Sequence, residues 1–284
     1  MINNTALVLE GGGFRGIFTA GVLEVFLEKQ LFFETVYGVS AGASYGASYL
    51  SYQLGRNIEV NSYIGDKRYC SVNNLLRQGS LFSWDFIYEE IPQKIIPYHY
   101  QILKDSKSKF YVVTSNCLTG ESEFILLNEL DKKDFKTILA ASCSLPLIAP
   151  IISYNDKLLL DGGLTDSIPF EYALNHGHER AVVVLTQPRG YIKPPVKYAP
   201  LYKWFYRKHP KVYEMICKRS ERYNASVRQL EELEKQGTIY VIRPAEKLMV
   251  SRLENKPYKT AKVYDIAMEL VRKEFANLEK WLNK

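Results

Sequence analysis

Histidine is scarce in this chain: there are four in 284 residues, and none precedes His99. A nucleophile in the first third that relied on histidine would have to find it far along the sequence. Cysteine is as sparse. Cys70, Cys117, Cys143 and Cys217 stand far apart with no close pair, which argues against a zinc knuckle or a dithiol redox motif and leaves reduced thiols as the expectation. No apolar run reaches the roughly 20 residues a membrane-spanning helix needs. The longest, Ile138 to Ile152, is broken by Pro146 and Pro150. The amino terminus, "MINNTALVLEGGG", has no basic region ahead of its short apolar run, so it reads as a buried strand and not as a signal peptide. The expected location is the cytoplasm, with any membrane contact peripheral.

What is present is an ordinary globular composition, 46% hydrophobic and 24% charged, in a chain long enough for one large domain or a domain with an appendage. The charge is unevenly placed. Residues 1–190 carry 16 Lys and Arg against 20 Asp and Glu, net −4, while residues 191–284 carry 21 against 11, net +10. That asymmetry gives the last third an affinity for an anionic partner or surface, or marks a solvated helical face.

Apolar periodicity places a strand at Thr5–Leu9, then a glycine turn, then a helix from Phe14 to Lys29 with Ile17, Val22, Val25 and Phe26 at helical spacing. A second strand, Phe33–Val39, precedes the helix-compatible "AGASYGASYLSYQL". Two strand–turn–helix units in tandem predict a mostly parallel sheet covered by helices on both faces, a three-layer α/β/α architecture. "KFYVVTSN" and "ESEFILLN" read as adjacent strands, and Asn155–Asp156 marks a further turn. A helix is expected from Pro169 to Asn175 and a strand at Ala181–Thr186. From "QPRGYIKPPVKYAP" the composition shifts to proline, tyrosine and lysine, which divides the chain into a domain over 1–190 and a basic, mainly helical extension over 191–284. In the extension, helices are expected at Val212–Gln236 and from about Thr260 to Leu282, with a strand at Thr238–Arg243.

Two glycine-rich turns carry the chemistry. Gly11-x-Gly13-x-x-Gly16 after a strand matches the dinucleotide fingerprint, but that reading wants an acidic residue ending the second strand. Glu34 begins that strand, and its end is occupied by Gly38-Val-Ser40-Ala-Gly42. The latter is the pattern of a nucleophile elbow, whose sharp turn lifts the serine hydroxyl above the sheet edge. Its oxyanion hole needs backbone N–H donors, and three consecutive glycines opening a neighbouring helix supply them. For the base, one order pairs Ser40 and Asp161 with His176 or His178. "NHGHER", however, reads as a solvated helix end, whereas "LLLDGG" sets Asp161 at the end of an apolar strand. A serine–aspartate pair is the preferred arrangement.

"GGGFRG", "GVSAG" and "DGG", in that order over residues 5–187, resemble the three signatures of the patatin-like phospholipases, and "ASCSLP" is similar to the block between elbow and aspartate. The resemblance implies Ser40 as nucleophile, Asp161 as its base, and the amides of Gly11, Gly12 and Gly13 as the oxyanion hole. It places Gly16, Gly38, Gly42, Gly162 and Gly163 in support of the three motifs, with Arg15 ordering the loop or facing a lipid head group. Ser167 stands where many members carry asparagine. The implied function is hydrolysis of phospholipid or other acyl-ester lipid, with no metal and no cofactor. The alternatives are a catalytically silent lipid-binding module and a serine–histidine–aspartate esterase. Beyond residue 190 the likeness narrows to a bacterial subgroup with a carboxy-terminal extension. There, residues 191–213 interleave Tyr198, Tyr202, Trp204, Phe205, Tyr206 and Tyr213 with Lys203, Arg207, Lys208 and Lys211, a composition suited to an anionic membrane surface. Nucleic acid is not expected as a partner, because no reader motif accompanies these residues.

Overall fold

Side chains from Ala6 to Leu9 alternate between two buried faces, and that alternation sets the layers. In the computed structural model, which describes all 284 residues, Leu7 and Leu9 of β1 (Ile2–Leu9) enter one apolar cluster and Ala6 and Val8 another. A strand covered on both faces reads as an unbroken apolar run, as "ALVL" does. β1 leads through the glycine turn into α1 (Ile17–Glu28), β2 (Phe33–Val39) and α2 (Ala41–Leu50). β1 and β2 pair in parallel, as a helical crossover requires. β1 starts earlier than its apolar run because Ile2 also pairs with Phe33, across an irregularity where Asn4 takes φ 58°.

After α3 (Arg56–Asn61), α4 (Val72–Gln78), a π-helix at Phe86–Ile95 and α5 (Tyr100–Lys104), the chain returns to the sheet with β3 (Lys109–Asn116) and β4 (Ser122–Leu126). Then come α6 (Lys132–Ser142), the hairpin of β5 (Ile152–Tyr154) and β6 (Lys157–Asp161), α7 (Phe170–Asn175) and β7 (Arg180–Val184). α8 (Ala199–Phe205), α9 (Pro210–Gln236), β8 (Ile239–Ile242) and α10 (Pro257–Leu282) complete the chain. The strands form one sheet in the order β5-β6-β3-β2-β1-β7-β8, with β4 also paired to β3. β8, β7, β1, β2 and β3 are mutually parallel, and β4, β5 and β6 supply the antiparallel pairs.

α1, α2, α6 and α10 cover one face of the sheet, and α7 and α9 the other. The residues after 190 share this framework. β8 extends the sheet beside β7. Val263, Tyr264, Ala267, Val271, Phe275, Leu278 and Leu282 of α10, spaced by three and four, turn one apolar stripe onto the core that contains α1. Burying side chains of this kind stabilises by about 1.5–3 kcal/mol each.

Candidate active site

The β2–β3–β6 register explains how two residues 121 apart in sequence come together. On β3, Val113 is opposite Val39 of β2, and the next residue, Thr114, is opposite Asp161 of β6. β2 ends there, because Ser40 turns sharply. β6 therefore takes up pairing with β3 where β2 leaves off, and the elbow and the aspartate meet end to end. Ser40 Oγ donates to Asp161 Oδ2 at 2.7 Å, with the serine 7% and the aspartate 2% exposed.

Ser40 adopts φ 54°, ψ −124°, a conformation that costs a non-glycine residue on the order of 1–3 kcal/mol. The surroundings hold it there. Its N–H donates to Ser142 Oγ at 2.8 Å, and that hydroxyl donates to the Val113 carbonyl at 2.7 Å. At Gly42 a Cβ would come within 2.5 Å of the Leu9 carbonyl oxygen, so a side chain there would force α2 off β1. The aspartate is fixed from three sides. Gly163 N–H donates to its Oδ1 at 2.8 Å, its own N–H donates to the Ser144 carbonyl at 2.8 Å, and its carbonyl accepts from Ser115 Oγ at 2.8 Å. "ASCSLP" thus contributes Ser142 to the elbow and Ser144 to the aspartate.

The glycine loop runs alongside. A Cβ on Gly11 would touch the Ser40 Cβ at 3.0 Å, which places the loop in contact with the elbow. The amides of Gly11 and Gly12 have no hydrogen-bond acceptor within the protein, whereas Phe14 N–H donates to the Arg252 carbonyl at 3.2 Å. Arg15 turns away from this edge. Its guanidinium faces Gln187, whose amide, with its oxygen toward the arginine, accepts from Nε at 3.2 Å and from a terminal nitrogen at 3.3 Å. Ser167 Oγ donates to the Gly163 carbonyl at 3.0 Å, so serine at this position still ties down the aspartate turn.

The histidine order finds no support in the geometry. His178 lies near Glu34 and Lys109, at the amino ends of β2 and β3, roughly 20 Å from the elbow at about 3.3 Å per strand residue. It is half-buried, not solvated: its ring meets Tyr37 edge-on and its burial lowers its pKa. His176 is exposed and stacks on Tyr172. Glu34 is also at the far end of β1–β2 from the glycine loop, where it cannot meet a ribose held at that loop. No group of three or more His, Cys, Asp or Glu side chains is arranged to hold a metal ion.

Ser40 opens onto a cavity of about 690 Å³, within the range usual for small-molecule sites. Phe14, Tyr45, Phe82, Trp84, Tyr88 and Phe135 form much of its wall, and Lys132, Lys133 and Lys136 also line it. Trp84 stacks between Phe82 and Tyr88. Cys143 also faces the cavity, within 3.4 Å of Tyr88 Oη and 3.5 Å of Ser44 Oγ, and burial pushes its thiol up to about 11. It is therefore a neutral wall residue at pH 7. The π-helix and the loops around it supply Trp84, Ile87 and Tyr88; sequence periodicity points to no element in this stretch, because a π-helix containing Pro92 repeats neither at 3.6 nor at 2 residues.

A mostly parallel sheet with helices on both faces, an elbow serine and a facing aspartate define the class of fold and site. The family model for patatin-like phospholipase matches residues 7–174, and the chain belongs to that family. A second model, a domain of unknown function (DUF6363), matches residues 209–283. Among curated proteins the chain is similar to the uncharacterized protein YjjU of Escherichia coli, 30% identical over 206 residues, covering 70% of this chain and 56% of that protein. It is also similar to the lysophospholipase NTE1 of Kluyveromyces lactis, 26% identical over 254 residues, covering 84% of this chain and 17% of that one. The chain thus spans about half the length of the first relative and much less of the second. VipD from Legionella pneumophila, a solved structure, aligns with a TM-score of 0.46 at 14% identity, over 95% of this chain and 67% of that one.

Proposed function

We propose that the protein hydrolyses carboxylic esters of lipids through an acyl-enzyme, with Ser40 as nucleophile and Asp161 as base. The observation that carries this reading is the 2.7 Å hydrogen bond from Ser40 Oγ to Asp161 Oδ2 at the edge of an aromatic-walled cavity. The cavity receives the acyl chain. Ser40 Oγ attacks the ester carbonyl carbon while its proton passes to Asp161 Oδ2, and the amides of Gly11, Gly12 and Gly13 hold the developing oxyanion. Collapse breaks the bond to the alcohol oxygen, which leaves with the proton from Asp161. Water then adds to the acyl-serine, Asp161 takes its proton, and the fatty acid departs as Ser40 Oγ is reprotonated. Under this reading residues 1–190 carry the reacting groups and residues 191–284 support and extend them.

A fluorophosphonate lipid analogue tests the nucleophile. Mass spectrometry is expected to find one adduct, on Ser40, and none on Asp161→Asn at the same exposure. A chain that remains unlabelled would instead be a silent lipid-binding module.

We place a peripheral membrane contact on residues 191–213. No helix of the protein is long and apolar enough to cross a membrane. α8 is anchored through Tyr206, whose hydroxyl accepts from Leu147 N–H at 3.0 Å, while Tyr198 is 78% and Trp204 64% exposed. Large apolar side chains standing out beside lysines suit an anionic interface. Each Lys or Arg near such a surface contributes roughly 1 kcal/mol. Changing Lys203, Arg207, Lys208 and Lys211 together to glutamine is therefore expected to weaken binding to anionic vesicles at least about 100-fold, and salt should weaken the native protein's binding. Vesicle co-sedimentation reads the result. Equal binding to neutral and anionic vesicles would leave the segment a packed structural helix.

A further inference from the structure

Four cations gather behind the glycine loop, and the hydrolysis scheme uses none of them. Arg15 follows the loop, Lys193 lies beyond β7, Arg219 is on α9, and Arg252 is between β8 and α10. Each lies in the field of the other three. Two of them touch the turns that carry the reacting groups. Arg219 Nε donates to the Gly163 carbonyl at 2.6 Å, on the aspartate turn, and the Arg252 carbonyl accepts from Phe14 N–H at the glycine loop. Lys193 Nζ stands 3.9 Å from the centre of the Tyr223 ring, whose hydroxyl donates to Glu10 Oε1 at 2.8 Å.

None of the four has a carboxylate oxygen within 4.0 Å, although thirteen ion pairs meet that limit elsewhere. Glu10 is the carboxylate that acts on Arg15, Lys193 and Arg219 alike, and its oxygens are taken by Thr186 N–H, Thr186 Oγ1 and Tyr223 Oη. Counting Glu10 and Asp161 against the four cations leaves an excess of two positive charges. All four are half-buried. Like charges withdrawn from water without partners destabilise a fold unless an anion joins them. Propping the two loops would require only the Arg219 side chain and the Arg252 backbone; the Lys193 ammonium over the Tyr223 ring and the Arg15 guanidinium on the neutral Gln187 amide are still left without a counter-charge.

We propose that Arg15, Lys193, Arg219 and Arg252 form a binding site for a phosphate-type dianion beside Ser40 and Asp161. Arg252 lines both this group and the cavity that holds Ser40, so an ester lying in the cavity can present a phosphate to it. The source is the phosphate of a phospholipid head group or free phosphate. The head-group source rests on Ser40 being the nucleophile, whereas the anion site does not. Arginine and lysine suit such a ligand by charge-assisted hydrogen bonds. Burial first, and then Arg219, Arg252 and Arg15 against the opposing pull of Glu10, lower the Lys193 ammonium to about 7. An anion held there would lose one of its partners as pH rises through that value.

Sulfate, a dianion throughout this range, is the probe. Titration calorimetry is expected to find one site on the native protein, with affinity falling as pH rises from 6 to 8. Lys193→Gln should bind about tenfold more weakly or worse, with the pH dependence gone, and Lys193→Arg should restore affinity without it. Absence of binding to the native protein, or equal affinity in native and Lys193→Gln at every pH, overturns the proposal. For the source, kcat/KM for a short-chain phosphatidylcholine is divided by that for a neutral ester of the same acyl chain. A ratio that falls about tenfold in Lys193→Gln assigns the site to the head group, and an unchanged ratio with weakened sulfate binding assigns it to the free anion. Sulfate binding in a protein that fluorophosphonate does not label would preserve this site while removing the hydrolase reading.

Discussion

Ser40→Ala and Asp161→Asn are each expected to lower ester hydrolysis on the order of 10⁴-fold or more, and the double variant to be no slower than the worse single one. The asparagine variant is the sharper test. Its Oδ1 can still accept from Gly163 N–H, so the turn keeps its shape, while the atom facing Ser40 Oγ becomes an amide nitrogen that takes no proton. Turnover of a short-chain ester, with thermal melting as a check on folding, measures both. Near-native turnover in Asp161→Asn would show that another group acts as base.

Gly13→Ala should come next, with a fall in kcat on the order of 10²–10³, corresponding to the roughly 2.7–4 kcal/mol that one oxyanion donor contributes. Gly13 has φ +57°, and a Cβ there would lie 2.6 Å from the Arg252 carbonyl oxygen and 2.7 Å from Arg252 Cγ. The backbone strain and the collision both turn the amide away from its direction. Gly12→Ala meets the Thr186 side chain at 2.7 Å instead, but Gly12 has φ −149°, so the collision comes without left-handed backbone strain and its effect should be smaller. KM should change little in either. A variant that raised KM and kept kcat would assign the loop to ground-state binding, and one that lost nucleotide affinity would restore the dinucleotide reading.

The parts of this site that depend on a few consecutive residues were legible in the sequence. The glycine loop, the elbow and the aspartate turn each need particular backbone shapes, and glycine at fixed spacing records that need. Phe33–Val39 was read with both ends correct, because a buried parallel strand bounded by turn residues has few other parses. The meeting of Ser40 with Asp161 was only inferable, since it depends on β6 continuing along β3 where β2 stops. The cavity wall between residues 56 and 105 was not legible. Its aromatic side chains converge from short helices and a π-helix, and no period relates them. Arg219 was equally hidden: one arginine in a long amphipathic helix is indistinguishable from a solvated charge until its Nε is seen on Gly163. His178 misled in the same way, because Tyr37, which covers it, is remote in sequence.

The packing of α10 on α1 bears on the order of events during synthesis. Gly21 of α1 faces Tyr264 and Ala267 of α10, and Phe14, beside the loop, donates to a carbonyl at residue 252. The first helix emerges long before its partner. At roughly 5–20 residues per second, the interval between them is tens of seconds. Through that time the side of α1 that faces α10 lacks its cover, and Phe14 N–H lacks the Arg252 carbonyl. The nascent chain therefore carries Ser40 and Asp161 before the glycine loop has its contact with residue 252. Under the proposed mechanism ester hydrolysis requires that contact, so a chain synthesised only as far as residue 250 holds Ser40 and Asp161 without the Arg252 carbonyl that fixes the loop beside them.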